Sequence, residues 1–141
     1  MIKMLNLENL FNLFTPEDLR KENKTHLDFE NQPLYFCGMW KKLILNHINF
    51  SKKVANFFKQ SNGEFDISDI REAGKFVAFN RAWSYLNKLD LNNDDHILTI
   101  LSYSNEEFIA TLEMGLKHFT ECEEYEKCAK ILKIKNISRK N

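Results

Sequence analysis

His118, Cys122 and Cys128 stand near enough in the chain to share a metal ion, with Glu121 or Glu126 as a further donor. Structural zinc draws its ligands from pairs two to four residues apart, and neither Cys-x-x-Cys nor His-x-x-x-His occurs, so neither a metal nor a cofactor is expected. Asp90, Asn92 and Asp94 alternate oxygens as a calcium loop does, but the sixth position is Asp95 rather than Gly and the twelfth is Leu101 rather than Glu. An Asx-rich turn capping the next helix explains them. Cys37 lies between Phe36 and Gly38 in an aromatic run, where apolar surroundings raise a thiol's pKa and make it inert. His47 and His96 read as surface or capping residues. There is no Gly-rich phosphate loop, Gly-x-Ser-x-Gly elbow or His-Glu-x-x-His, and the chain reads as non-enzymatic.

Two binding chemistries remain. Lys41, Lys42, Lys52 and Lys53, with Lys59, Trp40 and Phe50 nearby, have the composition of a basic face interleaved with aromatics that takes single-stranded nucleic acid. The 20 Lys+Arg are balanced by 20 Asp+Glu, so the formal charge is zero and the lysines read first as solvated outer faces. The other chemistry is apolar association. Phe11, Phe14, Leu34, Tyr35, Phe36, Met39 and Trp40 are more apolar surface than one small bundle requires, so Phe11, Phe14 and Trp40 are candidates for contact with a protein partner or a second copy, the alternative being that the N-terminal arm closes the bundle's own core.

Helices must position these residues. With 141 residues, 43% hydrophobic, 12 Phe and only 4 Gly and 2 Pro, the chain suits an all-α single domain of about six helices over 1–141. Leu5 to Phe14 has the spacing of an amphipathic helix and, with a second turn after Pro16, forms a candidate N-terminal arm over 1–20. A polar loop follows to Pro33. Leu34 to Ile48 steps by three and four, predicting a buried helix from Pro33 to His47; Ser51 then reads as the N-cap of Lys52 to Gln60, with Val54, Phe57 and Phe58 inward. Ser61-Asn62-Gly63 is a stop signal. Asp66 to Leu89 is the longest candidate, with Ile70, Ala73, Phe76, Val77, Trp83 and Leu86 on its stripe and Gly74 marking a close crossing or a break. Ile97, Leu98, Ile100 and Leu101 predict a short helix. Ser104 to Glu107 and Thr120 to Glu123 both have the capping-box pattern, which predicts an antiparallel hairpin over 104–134 and a frayed basic tail over 135–141.

The odd number of cysteines, the absence of a secretory leader pattern and the lack of a long apolar span give the expectation of a cytoplasmic protein with free thiols and no membrane contact. Abundant Asn, Lys, Ile and Phe is the composition that AT-rich genomes encode, and the chain looks like the small proteins of AT-rich phages, whose place would be the host cytoplasm or the virion.

Glu124-Tyr125-Glu126-Lys127-Cys128-Ala129-Lys130-Ile131, preceded by Leu112 and Leu116, resembles the UVR motif, the helical hairpin of nucleotide-excision-repair and protease-adaptor proteins. The resemblance covers about a quarter of the chain and lacks the motif's following Arg-Asp, where Leu132-Lys133 stands. It implies protein–protein contact through Leu116, Tyr125, Cys128 and Ile131. The expected function is therefore that of an adaptor, inhibitor or assembly subunit. The alternative is a nucleic-acid-associated accessory protein using Lys41, Lys42, Lys52 and Lys53.

Overall fold

Pro33 opens a helix because its fixed φ suits the first turn and its missing N–H is an orphan there in any case. The computed structural model describes residues 28–60 and 68–139. Five long helices follow one another: α1 (Pro33–Gln60), α2 (Ser68–Leu86), α3 (Asp94–Tyr103), α4 (Glu106–Glu121) and α5 (Tyr125–Ser138). No strand occurs among the described residues, and the fold is all-α.

The chain divides into two compact units, 1–32 and 33–141. Of the first, residues 28–32 are described: 28–30 are helical where a polar loop was expected, and the helix closes with the Asn31 amide donating to the Asp28 carbonyl at 3.2 Å and Gln32 to Phe29 at 3.0 Å. The helices α1 to α5 all belong to the second. The candidate arm with Phe11 and Phe14, and the Ser61-Asn62-Gly63 stop, lie outside the described residues.

The core collects Phe36, Cys37, Trp40 and Ile44 from α1, and Phe79, Ala82 and Leu86 from α2. Leu89 just after α2, Ile100 of α3, Phe108, Leu112 and Phe119 of α4, and Ile131 and Ile134 of α5 complete it. Phe36, Trp40 and Ile44, Phe79, Ala82 and Leu86, Phe108 and Leu112, and Ile131 and Ile134 step by three or four, so each of these helices buries one face. α1 touches α2, α3 and α4, while α5 closes against α3 and α4.

Helix ends follow local chemistry. Asn93 Oδ1 accepts from the Asp95 amide at 2.9 Å, and the Asn92 amide donates to Asp90 Oδ1 at 2.9 Å, so the calcium-like run is an Asx turn leading into α3. His96 joins it by accepting from the Asp90 amide on Nδ1 at 2.9 Å. The expected capping boxes are corrected: Asn105 caps α4, accepting from the Phe108 amide at 2.8 Å, while Ser104 Oγ donates back to Ile100. Thr120 likewise returns its hydroxyl to the Leu116 carbonyl, and α4 closes in a Schellman pattern, with Glu123 at φ 58° and the Glu124 amide donating to Phe119 O at 2.8 Å.

Three further expectations are overturned. α1 does not stop at His47: it is one helix of 28 residues, about 42 Å long, with Ser51 in its interior. The hairpin does not end at 134, because Ile134 and Ser138 are buried and Lys135 and Arg139 reach Glu113 at 3.3 and 3.4 Å, so the basic tail is helical to Ser138. The third concerns sidedness: Phe57, Ile70, Phe76 and Val77, expected on inward stripes, are 66%, 57%, 55% and 55% exposed.

Their exposure has one cause. No residue of α1 between Asn49 and Lys59 is buried, nor any of α2 before Phe79. Among the described residues the far end of α1 and the near end of α2 form a two-helix spur beyond the core, and two helices by themselves cannot enclose a Phe.

Candidate functional site

The spur is set by one close crossing. α2 passes α1 with Gly74 beside His47, where a Cβ would lie 3.4 Å from His47 Cε1, an ordinary contact. Gly74 thus marks a crossing, not a break, and His47 is an inter-helix residue rather than a capping one. Its Nε2 faces Ser51 Oγ at 3.5 Å, one turn along α1.

On one side of this crossing His47, Lys75, Phe79, Met114, Lys117 and His118 line a cleft of about 240 Å³. His118 is buried, stacked on Phe79 with ring centroids 4.5 Å apart, and its Nε2 lies 3.8 Å from Cys122 Sγ. Burial first, and the Lys75 ammonium second, push both imidazoles below the usual histidine range; at His118 the carboxylates of Glu121, Glu124 and Glu72 pull the other way. Lys75 itself is held by Glu121 at 3.4 Å. Cys128 turns away from the cleft, its Sγ 3.4 Å from Thr120 Oγ1 and 3.8 Å from Leu116 O, so the three would-be zinc ligands do not converge. Burial pushes the Cys37 thiol up to about 12, which fits an inert core cysteine.

A pH dependence follows from the two histidines. Because their folded pKa values lie below the unfolded value near 6.5, the unfolded chain takes up protons first, and stability is full above that pH and declines below it. Melting curves between about pH 7.5 and 5.5, above most carboxylate titrations, should show a falling Tm, and His118→Phe should flatten the fall. A Tm that is level or rises towards acid contradicts this assignment.

On the other side of the crossing Leu43, Phe50, Ile70, Ala73, Val77 and Ala78 form the wall of an open groove of about 620 Å³ between α1 and α2, with Arg81 at one end. Single exposed apolar residues are ordinary, whereas a contiguous row of them is a contact surface. The groove also sits in a field. α1 carries Lys41, Lys42, Lys52, Lys53 and Lys59 and no carboxylate, and α1 with α2 holds eight Lys and Arg against two Asp and Glu. Glu106, Glu107, Glu113, Glu121, Glu123, Glu124 and Glu126 lie on α4, on the turn after it and at the start of α5. With Lys117, Lys127, Lys130, Lys133 and Lys135 beside them that hairpin is only slightly acidic, so the zero net charge hides a basic excess on α1 and α2.

The residues singled out from sequence fall into three groups. Trp40 and Ile131 are fully buried, so neither presents an association surface: Trp40 Nε1 donates to Thr111 Oγ1 at 3.1 Å, and Ile131 is core. Leu116 and Cys128 are half-buried against that core, which leaves Tyr125, 63% exposed, as the outward residue of the UVR-like set. Lys42, Lys52 and Lys53 are exposed, but Lys41 is engaged, 3.9 Å from Glu107 and over the Tyr103 ring at 5.3 Å. Helical period singles out Ile70, Ala73 and Val77 of the groove but places them inward. The signal that marks the groove's setting in the sequence is the absence of any carboxylate from α1.

No family model, no curated protein and no solved structure matches this chain.

Proposed function

We propose that the protein is a non-enzymatic association module, an adaptor, inhibitor or assembly subunit, and that the groove face of the spur is its contact surface. The observation that carries this reading is the row Phe50, Ile70 and Val77, each more than half exposed, beside a continuous apolar groove. Covering the exposed part of each such side chain contributes about 1 kcal/mol towards a contact, and the rest of the groove must supply the remainder of what association costs. Tyr125 on the UVR-like hairpin is a second, smaller contact point. No helix among the described residues is long and apolar enough to cross a membrane, and the reading places the protein in the cytoplasm or in a virion.

The test is Phe50→Asp. Because Phe50 is 62% exposed, folding stability should change by no more than about 0.5–1 kcal/mol, while capture of the partner from the source lysate, or self-association seen by light scattering, should be lost. Undiminished association in a folded Phe50→Asp protein would remove the spur from the function.

A second reading has its own support. Exposed Phe50 and Phe57 stand among Lys52, Lys53 and Lys59 on a helix without a carboxylate, the composition of a single-strand platform. It requires binding of an oligothymidine strand that weakens steeply with salt and is abolished by Lys52→Glu with Lys53→Glu.

A further inference from the structure

We infer that the groove between α1 and α2 receives an acidic amphipathic helix of a partner protein. This rests on the association reading above and adds the chemistry of the occupant. Length comes first: along α2 the groove runs from Ile70 to Arg81, about 16 Å or three helical turns, which accommodates a helix presenting apolar anchors at i, i+4 and i+7. The groove is also suited to a helix, because Ala73 and Ala78 put small residues on the α2 side, while Leu43, Phe50, Ile70 and Val77 supply larger apolar contacts.

Charge then selects among the helices that fit. Arg81 lies in the groove, and Lys42 and Lys53 share the α1 strip of Asn46 and Phe50, so the α1 side is basic and offers no carboxylate to a basic visitor, with Asp69 at the start of α2 the nearest acid. A helix with glutamates flanking its apolar stripe gains at this rim and a lysine-rich one is repelled. The same field disfavours a second copy docking face to face: an isologous dimer would set two basic spurs against each other. A polynucleotide finds charge at the rim but an aliphatic trough with a single aromatic residue between its walls, where stacking needs several.

The experiment titrates the full chain against three fluorescent peptides of roughly 18 residues, alike in a leucine stripe at i, i+4 and i+7 and carrying Glu, Gln or Lys elsewhere, and against an oligothymidine strand. Anisotropy should rank Glu above Gln above Lys, with about tenfold between the first two at low salt and the gap closing near 0.5 M salt. Val77→Asp should abolish binding of the Glu peptide, and Lys53→Glu with Arg81→Glu should reverse the ranking; both changes are at exposed or groove-lining positions, and circular dichroism confirms that the variants fold. Equal binding of the Glu and Lys peptides, binding that survives Val77→Asp, or tighter binding of the oligothymidine overturns the inference. If no peptide binds while Phe50→Asp still abolishes association, the occupant's chemistry is wrong and the association reading stands. If Phe50→Asp changes neither, both fall.

Discussion

Trp40→Ala lowers the unfolding free energy by about 3–5 kcal/mol, a large share of the total stability of a domain this size. Trp40 is the largest fully buried side chain, and it sits where α1 meets α4. Truncation removes the ring's transfer energy and leaves a void that the surrounding core, close-packed and fully buried, fills only in part. It also strips a buried hydroxyl of its donor: Thr111 Oγ1 accepts from Trp40 Nε1 at 3.1 Å while donating to the Phe108 carbonyl at 2.6 Å, and after the change its accepting side has lost its partner. Trp40→Phe separates the two losses, keeping much of the volume and costing about 1–3 kcal/mol. Guanidinium unfolding of the three proteins measures both, and a loss under about 1 kcal/mol for the alanine variant would show that this contact does not organise the core. A change of this size stands against the small one expected at Phe50, so core and spur are energetically separable.

That separation explains what the sequence disclosed and what it withheld. Periodicity finds the helices, because Phe36, Trp40, Ile44, Phe108, Leu112, Ile131 and Ile134 repeat at the step that buries one face. Periodicity cannot say whether a face has a partner. Phe57, Phe76 and Val77 keep the step as faithfully as Phe79, yet among the described residues α1 at that point has only α2 beside it, and the side chains are more than half exposed. Ser51 misleads for a different reason. Serine is favoured at caps because its hydroxyl can take a free amide of the first turn, but within a 28-residue helix the amides are already paired, and the hydroxyl turns towards His47 instead. At the other end the lysines of 133–139 suggest fraying, while Ile134, Ile137 and Ser138 hold the core step among them; Ser138 is tolerated in the interior because its Oγ donates to the Ile134 carbonyl at 3.0 Å. The basic spur is readable in a way that whole-chain arithmetic conceals. Twenty charges of each sign cancel over the chain, and only counting helix by helix shows that α1 has none of the acids.

Gly115→Ala sets two principles against each other, and their magnitudes decide it. Intrinsic propensity favours alanine inside α4 by about 1 kcal/mol. Sterics oppose it: a Cβ there would stand 2.6 Å from Trp40 Cη2 and 2.7 Å from Cζ2, with Ile131 Cδ1 at 3.4 Å. The nearest atoms belong to a rigid, fully buried ring, not to the free end of a flexible chain, so relief requires moving α4 away from α1 or the indole against its neighbours. Overpacking of this kind costs about 1–3 kcal/mol and outweighs the propensity gain, so the net expectation is a destabilised protein. Gly38→Ala is the control, since its added Cβ would meet only Tyr103 Oη at 3.9 Å, an ordinary contact, and there propensity wins. The steric explanation also makes a coupling prediction. In Trp40→Phe the outer ring atoms that block Gly115 are gone, so adding Gly115→Ala to that background should cost less than in the parent, with an interaction energy of about 1–2 kcal/mol in the double-mutant cycle. Additive losses would mean that the indole yields easily, and that the α1–α4 crossing is not fixed by this single missing methyl group.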